Sequence, residues 1–189
     1  TASSVKACLF TGTINGGDAV GGVVAEAGSG EAIQHCHVDA TLQGTNTIGG
    51  VIAYSQRAPI ANCYVEGNLV LSDKAVVGKV GGVIGNLELD EMGNGPIVLA
   101  NCLIGIDSIT LLIDSVYAHR VVGFSAGDKY NYFEQKYEMP ETKIQGCYIL
   151  SDLAPVDASI QLADTTTEGA TLAWENVTAE WLGEHGFKL

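Results

Sequence analysis

Apolar and polar residues alternate along this chain in short bursts, and the bursts recur around the cysteines. The segments Val5-Lys6-Ala7-Cys8-Leu9-Phe10, Ile33-Gln34-His35-Cys36-His37-Val38, Ile60-Ala61-Asn62-Cys63-Tyr64-Val65, Leu99-Ala100-Asn101-Cys102-Leu103-Ile104 and Ile144-Gln145-Gly146-Cys147-Tyr148-Ile149 all read apolar-x-x-Cys-x-apolar. Steps of two onward from the cysteine meet Phe10, Gly12 and Ile14 in the first copy, Val38, Ala40 and Leu42 in the second, and Val65, Gly67 and Leu69 in the third. The fourth copy keeps Ile104 and Ile106, and the fifth keeps Ile149 and Leu153. Side chains spaced by two line one face of a strand, so each copy predicts a strand with its cysteine facing inward.

A second landmark lies between the cysteines, as Val20-Gly21-Gly22-Val23-Val24-Ala25, Ile48-Gly49-Gly50-Val51-Ile52-Ala53 and Val80-Gly81-Gly82-Val83-Ile84-Gly85. Val121-Val122-Gly123-Phe124-Ser125-Ala126-Gly127 reads as a worn fourth copy. Gly21 follows Cys8 by 13 residues, as Gly49 follows Cys36, so strand and glycine pair belong to one unit. Paired glycines before a short apolar run suit a tight corner where two backbones approach. A unit of two strands and a corner cannot bury its apolar face alone, and stacking equivalent units solves that problem. The expectation is an all-β fold: a parallel β-helix, or β-solenoid, of about five coils, with residues 1–170 forming the repeat domain.

Gly81 to Gly85, followed by a loop and an Ala-Asn-Cys segment, resembles the GLUG-motif repeat of bacterial surface proteins. The resemblance runs from about Val5 to Leu153. The motif's leucine is Val23, Val51 and Val83 here, and its last glycine is Ala25 and Ala53 in the first two copies. This resemblance implies a β-solenoid on exported, cell-surface or adhesin-like proteins, and it brings no catalytic residues with it.

Residues 171–189 change character. Trp174, Val177, Trp181 and Leu182 fall at helical spacing before Gly186, which predicts an amphipathic helix capping the open edge of the last coil. Nothing comparable precedes Cys8, so an upstream part of a longer chain is expected to cover the first coil. The opening Thr1-Ala2-Ser3-Ser4 runs straight into a strand-like segment, which places any export signal upstream or already removed.

Composition narrows the partners. A formal charge of −13 and the lack of any Lys/Arg cluster argue against nucleic acid. No apolar stretch is long enough to span a bilayer. Cysteines at equivalent positions on stacked units have parallel Cβ vectors, which disfavour a disulfide, so they read as a reduced, packed ladder.

Candidate chemistry lies on outward faces and in two insertions, residues 86–98 and 128–143. Period-two counting puts His35, His37 and Asp39 on one outward face, which offers two imidazoles and a carboxylate to zinc or iron; a solvated face is the competing account, and no metal or other cofactor is expected. Glu88, Asp90 and Glu91 lack the alternating pattern of a calcium loop. Tyr130, Tyr132 and Tyr137 in the second insertion suit a sugar or a protein partner, or simply cover the side of the solenoid. An outward ladder of His37, Tyr64, Leu103 and Tyr148 lies nearby, so Tyr64 and Tyr148 join the candidate ligand-binding residues. The leading expectation is a non-catalytic, extracellular or cell-surface module that binds glycan or protein. The alternatives are a polysaccharide-active lyase or hydrolase using Asp39 and Glu66, and a structural stalk.

Overall fold

In the computed structural model the chain is mostly strand, and its main sheets are parallel. The structure describes residues 3–88, 97–126, 129–131, 136–138, 142–154, 156, 159, 169–185 and 187. Each repeat contributes one strand to each sheet it reaches. The first sheet stacks Ser4–Lys6, Ala32–Gln34, Ile60–Ala61, Ile97–Ala100 and Thr142–Gln145 in chain order. Its neighbour, with the longest strands, stacks Leu9–Asn15, His37–Gly44, Tyr64–Leu71, Leu103–Leu111, Tyr148–Ile149 and Ala170–Thr171. Two four-stranded sheets follow, one from Ala19–Gly21, Thr47–Gly49, Gly78–Gly81 and Val116–His119, the other from Val24–Ala27, Ile52–Gln56, Ile84–Glu88 and Val122–Ala126.

The inward rows match the period-two reading. Val38, Leu42, Val65, Ile104 and Ile106 are fully buried in one apolar core with Ile48, Ile52, Ile84 and Leu87 from the other sheets. Register carries the repeat through: Val65 pairs with Val38 on one side and Ile104 on the other, and Leu69 with Leu42.

Why the motif spaces its apolar residue and its cysteine by three becomes clear at the corner between the first two sheets. An odd spacing within one strand would put the two on opposite faces. Yet Ile33 and Cys36, Ile60 and Cys63, and Leu99 and Cys102 are all buried. The residue before each cysteine resets the alternation by turning left-handed, with φ of 53° at Ala7, 54° at His35, 55° at Asn62, 52° at Asn101 and 62° at Gly146. Asn and Gly tolerate that conformation best, and they hold three of the five positions.

The glycine pairs do sit where the chain bends from the third sheet to the fourth. At Gly50 a Cβ would lie 2.0 Å from the carbonyl oxygen of Gly82 in the next repeat, so only glycine permits the stacking. The fourth repeat departs from expectation. Register pairs Gly81 with His119 and Ile84 with Val122, so His119 and Arg120 replace the glycine pair, and the fourth copy begins earlier than Val121. Among the described residues the strands Val116–His119 and Val122–Ala126 are the last in their sheets, and no further repeat there brings a carbonyl against Arg120. Its side chain is buried and reaches the C-terminal segment instead, donating to the carbonyl oxygen of Leu153 at 3.3 Å, to Oγ1 of Thr171 at 3.1 Å and to the carbonyl oxygen of Gly169 at 3.5 Å.

That segment corrects the expected cap. Ala170–Thr171 pairs with Tyr148–Ile149 and so extends the long-strand sheet. The expected single helix is broken into a 3-10 turn, Trp174–Asn176, and a short helix, α1, Ala179–Glu184. Val177 ends the first and Thr178 caps the second, its Oγ1 accepting from the backbone N–H of Trp181 at 3.1 Å. Both elements lie against the outward face of the long-strand sheet, where Leu182, Val177, Trp181 and Phe187 pack with Leu103, Leu150, Tyr64 and Tyr148.

Candidate functional site

Pairing in register builds a vertical stripe on the outward face of the long-strand sheet: Leu9, His37, Tyr64, Leu103 and Tyr148 follow one another across adjacent strands. The C-terminal segment covers one end of this stripe. Trp181 meets Tyr148 edge-on at 5.0 Å between ring centroids, and His185 stacks on Trp181 at 4.0 Å. Leu9, at the other end, remains 68% exposed.

Between covered and uncovered ends the segment leaves a cleft of about 270 Å³. One wall comes from the corner and stripe residues His35, Cys36, His37, Asn62, Tyr64 and Leu103, and the other from Trp174, Val177, Leu182 and Phe187. His37 and Tyr64 stack with centroids 4.8 Å apart and planes at 18°. Trp174, 55% exposed, leans toward Tyr64 from across the cleft at 6.3 Å and 37°. Aromatic rings thus border a mostly apolar recess with polar groups at its rim, the usual build of a small-ligand site.

Glu66 sets the electrostatics of that rim. Its Oε1 lies 2.8 Å from Nε2 of His37 on the adjacent strand. Burial, followed by hydrogen bonding to Glu66 and the negative charges of Glu66, Asp39 and Asp107, holds the Tyr64 phenol well above the ordinary tyrosine range. Gly105 keeps the space open, since a Cβ there would come within 3.2 Å of the Tyr64 hydroxyl.

Among the described lining residues of the cleft the one cysteine is Cys36. All five cysteines are free, with Cys36, Cys63, Cys102 and Cys147 buried and Cys8, between the strands Ser4–Lys6 and Leu9–Asn15, exposed. Each sulfur lies near the carbonyl oxygen two residues earlier, across the left-handed corner, at 3.3 Å for Cys36 and 3.5 Å for Cys63. Hydrogen bonding to Cys147 and Cys63, reinforced by burial, holds Cys102 well above the ordinary thiol range.

Compared with protein-family models and with curated proteins, the chain matches none.

The residues expected from sequence fare differently. Tyr64 lines the cleft, while Tyr148 is half-buried beneath Trp181 and His185. The backbones of Lys129–Asn131 and Lys136–Glu138 form an antiparallel pair with Tyr130 opposite Tyr137. Tyr132, Asp90 and Glu91 lie outside the described residues.

His35, expected to share a strand face with His37 and Asp39, belongs to the left-handed corner instead, and His37 is engaged with Glu66. Among the described residues no group of three His, Cys, Asp or Glu side chains is placed to hold a metal. Asp39 and Glu66 do pair in register, with Asp39 exposed. His119 and Arg120 are both buried, and Arg120 fastens the segment that forms the cleft. Trp174 was legible only as part of a cap, because its role depends on the chain folding back across the stripe.

Proposed function

We propose that this chain is a non-catalytic β-solenoid module of the GLUG-like surface class, which binds a glycan in the cleft between Tyr64 and Trp174. In this reading each Cys-centred repeat is one coil, the stacked coils are a rigid scaffold, and the C-terminal segment converts one outer stripe into a site. The observation that carries the proposal is the exposed indole of Trp174 facing the stacked pair His37 and Tyr64 across an apolar recess. Flat aromatic faces with polar groups at their edges match the alternating apolar and hydroxyl faces of a sugar ring. The surface location follows from the repeat resemblance.

The polysaccharide-active alternative would use Asp39 and Glu66. Paired carboxylates of that kind need one group free to exchange a proton with substrate. Glu66 is held by His37 and Tyr64, which favours a binding role for it.

A glycan array probed with the wild-type chain and with Trp174→Ala tests the proposal. Retention on one or more glycans, lost in Trp174→Ala without loss of fold by circular dichroism, is the expected result. Equal retention of both proteins would move the site elsewhere, and no retention on any glycan would remove the binding function.

A further inference from the structure

The charges around the cleft are unevenly distributed. Among its described lining residues there is no Lys or Arg, and the two imidazoles are those of His35, at the corner, and His37, already engaged with Glu66. On the stripe side the fixed charges are negative. Glu66 stands two residues along the strand from Tyr64, Asp39 is its register partner on one side, and Asp107 follows Ile106 on the other. All three carboxylates bear on the Tyr64 hydroxyl. The chain as a whole carries −13, so the long-range field has the same sign as the local one.

We infer that the cleft takes a neutral or amino-substituted sugar ring and rejects uronic and other acidic sugars, with Glu66 as the residue that sets this specificity. The inference rests on the glycan-binding reading of the same cleft. A hydroxyl or ammonium group on the ring can donate to the Glu66 carboxylate at the rim, where a sugar carboxylate would meet it as a like charge. Rejection of this kind works by repulsion of the wrong ligand as much as by attraction of the right one. The aromatic walls supply contact that is indifferent to charge, so discrimination is assigned to the rim.

The test uses glycosides that share one ring and differ in charge: hexosides, 2-amino-2-deoxyhexosides and hexuronides of the gluco, galacto and manno series, followed by tryptophan fluorescence. For the wild-type chain, hexuronides are expected to bind at least about tenfold more weakly than the matching hexosides at low salt, with the gap narrowing as salt rises. Glu66→Gln should close most of that gap, and Asp39→Asn, at an exposed site, part of it. Hexuronides that bind the wild type as tightly as hexosides, with the signal lost in Trp174→Ala, would overturn the charge rule and leave the cleft standing. A gap unchanged in both charge variants would overturn the assignment to Glu66. Absence of signal with every glycoside would overturn this inference together with the reading beneath it.

Discussion

Nε2 of His37 and Oε1 of Glu66 meet at 2.8 Å across adjacent parallel strands, on a diagonal, because His37 pairs in register with Tyr64 and Glu66 lies two residues further on. The contact ties the stacked pair His37 and Tyr64 to the one carboxylate that also engages the Tyr64 phenol. Both partners are more than a third exposed, so the pair contributes at most about 1 kcal/mol to stability. Its importance lies in fixing the rim of the cleft.

The phenol provides a pH signature. Burial and Glu66 raise Tyr64 above the ordinary tyrosine range, and burial, with Glu88, pushes Tyr54 up to about 12. A phenol that holds its proton more tightly when folded stabilises the fold fully below the unfolded value of about 10, and that contribution is lost as pH rises through the folded value. Thermal stability should therefore decline above about pH 10. Tyr64→Phe should reduce the decline, and Glu66→Gln should lower the ionisation midpoint of Tyr64 in an ultraviolet titration.

The left-handed corners make a second prediction. A residue with a Cβ pays about 1–2 kcal/mol there, and glycine does not. Asn62→Gly should be close to neutral, while Asn62→Ala should cost about 1 kcal/mol in urea denaturation. Ala7→Gly should be neutral or stabilising, since Ala7 already occupies the strained conformation with φ at 53°.

Thiol reactivity checks the cysteine ladder. In the native protein one of the five cysteines, Cys8, should react with an aromatic disulfide reagent, and the other four should react only after unfolding. Rapid modification of Cys102 in the folded protein would contradict its placement in the core.

Arg120 is predicted to hold the cleft closed from behind. Arg120→Met keeps much of the side-chain volume but removes the hydrogen bonds to Leu153, Gly169 and Thr171. Losing a buried, hydrogen-bonded charge of this kind costs about 2–4 kcal/mol locally. Limited proteolysis should then cut within residues 169–185 at a rate that leaves the repeats intact, and glycan binding should weaken with it.

Much of the scaffold was legible in the cysteine period, because alternation onward from each cysteine depends only on strand geometry. The corner was visible in part: Ala7, His35, Asn62, Asn101 and Gly146 form a set enriched in the residues that turn left-handed, yet period-two counting carried His35 onto the strand face. Arg120 was misplaced because the second glycine of a pair, as at Gly50, is needed only where another repeat stacks above, and among the described residues the fourth repeat is the last in those two sheets. The cleft was the least legible part. Helical spacing of Trp174, Val177, Trp181 and Leu182 identified an apolar segment but carried no information on where it docks, and a break at Thr178 turned it onto the stripe of Tyr64 and Leu103.

Hydrogen–deuterium exchange with and without a retained glycan places the ligand most directly. Binding in the cleft should slow exchange in Tyr64–Leu71 and across residues 169–185, and leave 129–138 unchanged. Slowing confined to 129–138, around Tyr130 and Tyr137, would contradict the assignment of function to the cleft between Tyr64 and Trp174.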